Sequence, residues 1–286
     1  MKGIPVLKRS MTAMVMVVIM TVSCIKEHSV DVLIVGGGAS GVAAGIQSAR
    51  MGVSAMIIEE TPWLGGMLTA AGVSCVDGNY KLRSGIFGEF ADSLAARYGG
   101  YEALKSGWVS NINFDPHIGQ EIFVNMTDAC GHLLEVQCDT EVTRVKKEDG
   151  KWEVTVRSKD GKSVIHADVL IDATELGDVA KACGADYRIG MEAASETGES
   201  IAPAKSNDVI QDLTFVAFLK DYGPDADMTI EKPEDYDPAP FYNSCQNPLN
   251  TENVTGQTMW SPEMMIAYGR TPEGRYMINW PIYGND

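Results

Sequence analysis

Residues 31–35, DVLIV, run directly into Gly36-Gly37-Gly38-Ala39-Ser40-Gly41, and this junction limits the possible folds more than any other stretch of the chain. An apolar run of this length fits a strand covered on both faces, as in a parallel sheet. The glycines at 36, 38 and 41 have separate tasks at such a strand end. Gly36 permits a tight turn, Gly38 lets an anionic phosphate approach bare backbone, and Gly41 lets the following helix pack close to the strand. Ala39 and Ser40 open that helix, whose first turn offers unpaired N–H groups and a positive dipole end. Ala43, Ala44, Gly45 and Ala49 keep one helical face small, and Gly52 is placed as its C-cap. Ala55 to Ile58 is a second strand closing on Glu59, so the segment predicts one βαβ unit. Glu59 stands 23 residues after Gly36. That is close to the ~20 at which a carboxylate meets ribose hydroxyls and repels a 2′-phosphate. Glu60 can share this role.

The rest of the chain extends an α/β reading. Residues 86–98 predict an amphipathic helix stopped by Gly99 and Gly100. Asp115-Pro116 is a helix opening, with Asp as N-cap and Pro at the first helical position, and the helix is expected to reach about Ala129. Residues 141–147, 151–157 and 163–169 alternate polar and apolar and are joined by EDGK and KDGK. Asp-Gly between alternating runs signals hairpins, hence an antiparallel meander. Residues 169–171 then form an apolar strand ending in Asp172-Ala173-Thr174. After Tyr187 periodic segments thin out. A strand is expected over 211–220, a proline- and aspartate-rich loop over 224–240, and a strand over 275–278. The organisation predicted is a leader at 1–23, a tether at 24–30, a Rossmann-like domain at 31–186 with parallel sheet, βαβ unit and β-meander, and a partial second α+β domain at 187–286.

Three stretches together are similar to one family. VGGGASGVAAGIQSARMG, EETPWLGGMLTAAGVSCVDG and DATELGDVAKACGADYRIG resemble the FAD-dependent oxidoreductases of secreted bacterial proteins, whose members are sometimes named xanthan lyase. The fold implied is the FAD-binding fold of the glutathione-reductase type. On this resemblance Gly65, Gly66 and Met67 line the flavin side of the cofactor. The backbone at Val142 meets the adenine, and Ala173-Thr174 return near the cofactor, with Glu175 where glycine is common. FAD is the implied cofactor and a small molecule the implied substrate, sugar-derived by family context; a simple NAD domain would carry βαβ units in place of the meander. Relatives are longer and close the flavin site with a C-terminal strand and helix. Because none is visible before Asp286, the expectation is a truncated chain with an incomplete flavin site.

The N-terminus points outside the cytoplasm. Lys2, Lys8 and Arg9 precede the uncharged run MTAMVMVVIMTV, too short for a bilayer span of ~20 residues but suited to a signal-peptide core. Ser23-Cys24 follows as in a lipoprotein cleavage box, although Thr21 stands where an aliphatic residue is usual. The expected product is lipidated at Cys24 and anchored in the cell envelope, on the periplasmic or outer-membrane face; a plain secretory signal is the alternative. The excess of 39 Asp+Glu over 23 Lys+Arg argues against nucleic acid and against an anionic membrane surface as partners. The remaining cysteines are odd in number and lack CxxC spacing, so free thiols are expected and no metal site.

Exported FAD-dependent oxidoreductase is therefore the first functional reading. A polysaccharide lyase-like enzyme on the flavoprotein fold is the second, and a truncated, non-catalytic binding protein the third. His28, His117, His132, His166, Cys75, Arg83 and Arg270 are candidate site residues by type, but no spacing supports a catalytic or anion-binding role for them, and no catalytic residue is assigned.

Overall fold

The computed structural model describes residues 26–211, 213–239, 245–246 and 260–279. The leader and Cys24 lie outside them. One six-stranded sheet organises the chain. Strand β1 is Lys26–Val35, β2 is Ala55–Ile58, β3 is Leu134–Gln137, β4 is Glu141–Glu148, β5 is Lys151–Ser158 and β6 is Gly161–Asp172. Their spatial order is β3-β2-β1-β6-β5-β4. β3, β2, β1 and β6 run parallel, and β6, β5 and β4 antiparallel.

Residues 26–30 correct the expected tether: they are the first half of β1, paired with 163–167 of β6. A second difference concerns β6. The third meander strand and the apolar strand expected separately are one strand of twelve residues. It hydrogen-bonds to β5 along its first half and to β1 along its length. One strand thereby joins the parallel and antiparallel halves.

Alternation along the central strands divides the core. Val32 and Ile34 face a cluster with helices α1 (Ala39–Arg50), α2 (Gly85–Tyr98) and α3 (Pro116–Asp128), through Val42, Ile46, Phe90, Leu94, Ile118 and Phe123. Phe90 stacks on Phe123 at 4.4 Å between ring centroids and meets Phe114 edge-on. Leu33 and Val35 face the opposite side. There they share a cluster with Val154, Val156 and Ile165 of the meander and Val179 of the short helix α4 (Asp178–Ala182). Full burial of each such side chain contributes roughly 1.5–3 kcal/mol, so both sheet faces are held.

After α4 the described residues are mostly exposed up to β7 (Ala217–Lys220), and among them only the single-turn helix α5 (Ala194–Thr197) intervenes. The strand expected over 211–220 is confined to these four residues; Leu213 and Phe215 before it are exposed. Helix α6 (Pro262–Ala267) leads into β8 (Gly269–Arg270) and β9 (Arg275–Ile278), the latter as expected. The order β7-β9-β8 gives a second, antiparallel sheet. It packs through Tyr268 and Met277 on Cys75, and Val109 N–H bonds the Tyr268 carbonyl at 3.1 Å.

Asp115 anchors this junction, in a way its expected capping role does not suggest. Its backbone sits at the N-cap of α3, but its carboxylate makes no capping bond. Fully buried, it accepts hydrogen bonds from Arg275 at 3.0 Å, Thr271 Oγ1 at 3.1 Å and the Tyr98 hydroxyl at 3.3 Å. Burial also pushes the Tyr98 phenol above its ordinary pKa. The five described cysteines, Cys75, Cys130, Cys138, Cys183 and Cys245, are all free.

Candidate dinucleotide site

The carboxyl ends of β1, β2 and β6 meet at the glycine loop. Gly36 has φ +103°, and a Cβ there would lie 2.2 Å from the Ala173 carbonyl oxygen. A Cβ on Gly41 would lie 1.9 Å from the Gly36 carbonyl. Neither position accepts a side chain, so the turn between β1 and α1 requires glycine at both. Gly38 is the extended N-cap of α1 and makes no side-chain cap bond. The first turn of the helix therefore presents main-chain N–H groups.

The second glycine pair is attached to the first. Gly65 N–H bonds the Gly37 carbonyl at 2.8 Å, and Gly38 and Gly65 form an isolated parallel bridge. Gly65 and Gly66 both have positive φ, and the buried Thr69 fixes their turn by donating to the Leu64 carbonyl at 2.6 Å. Glu59 is buried as well. Its carboxylate accepts from Gly37 N–H at 2.6 Å and from Thr61 N–H at 2.8 Å. The side chain expected to meet ribose thus also clamps the loop. Each oxygen keeps a second lone pair for a hydroxyl.

A cleft of about 760 Å³ lies over this loop, within the ~300–1,000 Å³ usual for ligand sites. Nine expected residues line it: Gly36, Gly38, Glu59, Glu60, Gly66, Met67, Val142, Ala173 and Thr174. Ala39, Ser40, Gly41 and Gly65 do not. Gly41 lies beneath the turn, Ala39 and Ser40 are exposed in the first turn of α1, and Gly65 is buried against Thr69 and Phe123. Val142 is on β4, the edge strand of the sheet, and among the described residues no strand pairs with its open side. A register shift at Thr143 bends the strand at this point.

Asp172, just behind the cleft wall, is a positioning residue that sequence reasoning missed. It closes β6 and accepts from Thr174 Oγ1 at 2.7 Å, Thr174 N–H at 2.9 Å and Ala180 N–H at 2.7 Å. Burial alone would raise its pKa, but these hydrogen bonds outweigh it and hold the carboxyl below the usual carboxylate range. Glu141, Arg144 and Asp178 line the cleft without a sequence signal, and Glu175, noted only as a departure from the family pattern, lines it too. Glu141 and Arg144 reach it from β4, which only tertiary folding brings near the glycines.

The candidates set aside lie elsewhere. None of the four histidines lines the cleft, and neither do Cys75, Arg83 and Arg270. Burial pushes the Cys75 thiol up to about 12, which denies it thiolate character. The Arg83 guanidinium lies over the Tyr101 ring at 3.2 Å. His117 sits 3.3 Å from Arg275 in the Asp115 cluster.

A βαβ unit with a phosphate-ready glycine turn, a carboxylate at the end of its second strand and an antiparallel meander defines a dinucleotide-binding α/β protein of the flavoprotein kind. The family follows from residues 31–286, which match the FAD dependent oxidoreductase model; the chain belongs to that family. Among solved structures, p-nitrophenol 4-monooxygenase from Pseudomonas putida is 12% identical, with 57% of this chain and 46% of that one covered at a TM-score of 0.44. The anhydrotetracycline hydroxylase OxyS from Streptomyces rimosus is 14% identical, covering 58% and 36% at 0.43. A flavoprotein/dehydrogenase from Cytophaga hutchinsonii is 16% identical, covering 59% and 47% at 0.38. The chain thus spans less than half the length of each of these proteins. No curated protein matches it.

The family's cofactor, FAD, fits the residues present. Gly38 leaves bare backbone for a diphosphate and Gly66 bare backbone on the flavin side, Glu59 has free lone pairs for ribose, and the open edge at Val142 suits an adenine.

Proposed function

We propose that the protein is an exported FAD-dependent oxidoreductase acting on a small, sugar-derived molecule. The observation that carries FAD binding is the convergence of three side-chain-free glycines, the clamped Glu59 and the edge strand at Val142 on one cleft. When bound, FAD would supply hydride- or electron-accepting chemistry. The chain's own part is to hold and shield it. Gly36, Gly38 and Gly41 shape the diphosphate seat, Glu59 and Glu60 take the ribose, and Gly66 and Met67 form the wall on the flavin side. Ala173 and Thr174 close the floor.

In this reading the segment from 187 onward forms the substrate-side domain. Its support is the seating of β7 on the wall of the cleft. A Cβ on Gly72 would meet Val216 at 3.1 Å and Phe218 at 3.4 Å, while Met67, Ala70 and Ala71 of the same turn line the cleft. Sugar-derived substrates and export rest on the resemblance and on the leader with Ser23-Cys24.

The test is to produce the full chain in its native envelope, release it with detergent and record its visible spectrum. A flavin band that bleaches anaerobically with a sugar or sugar-acid donor supports the proposal. Failure to bind FAD even when it is added in excess would refute it. Labelling with a fatty-acid analogue tests the anchor, since Cys24→Ala should abolish the label.

A further inference from the structure

The diphosphate seat carries a carboxylate of its own. Glu175 follows the floor residues Ala173 and Thr174 and lines the cleft. Its Oε1 lies 3.3 Å from the place a Cβ on Gly38 would take and 2.8 Å from that of a Cβ on Gly66. These are the two glycines whose bare backbone must receive phosphate and the neighbouring part of the cofactor. The side chain fills the space that the glycines leave open.

The surroundings do not neutralise it. Among the described residues, Glu59, Glu60, Glu141, Glu175 and Asp178 line the cleft against one lining cation, Arg144, with Glu141 paired to Arg157. A diphosphate entering this wall meets like charge at the point of closest approach, and like charges brought together oppose binding strongly. The backbone beneath Glu175 is fixed. Asp172 holds Thr174 through its amide and hydroxyl, and also holds Ala180, while Thr174 Oγ1 accepts from Asp178 N–H at 2.9 Å. The loop cannot easily withdraw. The exposed Glu175 side chain can rotate.

We infer that Glu175 is a displaceable plug between the diphosphate seat at Gly38 and the flavin-side wall at Gly66: FAD binds only with this carboxylate rotated off both glycines. This inference rests on the FAD reading of the cleft. Apparent affinity is then reduced by the fraction of molecules in which the seat is clear. Removing the side chain frees every molecule and also removes a negative charge.

The test uses ADP, FAD and adenosine as titrants of the full chain, with wild type, Glu175→Ala and Glu175→Gln compared by calorimetry. ADP and FAD should bind the Ala variant about tenfold more tightly, equivalent to ~1.4 kcal/mol. Adenosine, which has no phosphate, should bind all three proteins alike. Added salt should strengthen ADP binding to wild type more than to Glu175→Gln, because screening matters only where the charge is present. Matching melting curves would establish that the variants are folded. Unchanged or weaker ADP binding by Glu175→Ala overturns the plug and leaves the FAD reading standing, as does an equal gain for adenosine. If neither wild type nor either variant binds ADP or FAD, the reading of the cleft fails, and the plug with it.

Discussion

Removing the Glu59 carboxylate should damage the protein before any cofactor is added. Both oxygens are engaged, with Gly37 N–H at 2.6 Å and Thr61 N–H at 2.8 Å, and the residue is 7% exposed. Glu59→Ala leaves two largely buried amides at the cleft wall without these partners. An orphaned buried donor costs about 1–3 kcal/mol, and partial relaxation or water entry recovers some of it, so a loss of about 2–4 kcal/mol is expected. For a folded unit of this size each kcal/mol lowers Tm by roughly 2–4 °C, so apo Glu59→Ala should melt roughly 4–16 °C below wild type. Glu59→Gln keeps one acceptor and turns an NH2 group toward the other amide, so it should fall between them. FAD affinity should weaken by a further ~1–3 kcal/mol through the lost ribose bonds. Differential scanning calorimetry of the apo protein reads the clamp, and an FAD titration of Glu59→Gln, the milder variant, reads the ribose contact. An Ala variant that melts with wild type would show that the clamp does not stabilise the loop. Unchanged FAD affinity in either variant would remove Glu59 from the site.

Asp172 should make the protein acid-sensitive. Its folded pKa is depressed below 3.8 by the hydrogen bonds it accepts, which outweigh burial. Its contribution is therefore complete above the unfolded value and is lost as pH falls through the lower folded value. Asp172→Asn should flatten the fall in stability below about pH 4 in urea titrations, whereas an unaltered acid limb would contradict this. Arg275→Ala should destabilise by about 2 kcal/mol, since it strips a charged hydrogen bond from the fully buried Asp115. A double-mutant cycle with Asp115→Asn should show coupling, and strict additivity would deny it. Gly41→Ala places a Cβ 1.9 Å from the Gly36 carbonyl. The turn must shift at a cost of about 1–3 kcal/mol, and ADP binding should be lost in titration.

How much of this was legible in the sequence depends on what each feature consists of. The glycine turn was readable because its function is the absence of side chains, fixed by local geometry at Gly36 and Gly41. The Asp-Gly hairpins were readable because turn chemistry is local. β3 passed unnoticed: LEVQ is too short for a periodic signal and becomes a strand only by pairing with β2. Residues 26–30 looked like a tether because their polarity suits an exposed strand as well as a linker, and the deciding fact is β6 beside them. The same holds in the site. In sequence Asp172 is only the end of a strand and Glu175 a departure from a pattern. Their partners are set by where the loop after β6 falls. Asp115 reads as a cap because Asp-Pro usually is one, whereas its partner Arg275 lies 160 positions away.

The pairing of β1 with β6 has a consequence for when the site comes into being. Every rung of this parallel ladder joins residues 137 positions apart, Lys26 to Ser163 at one end and Val35 to Asp172 at the other. Closing so long a loop carries an entropic cost that local contacts do not, and folds dominated by distant pairing form slowly. Beyond the last rung, Ala173 N–H bonds the Val35 carbonyl at 2.8 Å and Ala173 supports the Gly36 turn. A growing chain can assemble the strand, the helix and even the β1–β2 pair early, yet the proposed phosphate seat has no floor until residue 173 arrives. On the FAD reading proposed above, cofactor capture would then wait for chains that have already closed this β1–β6 seam.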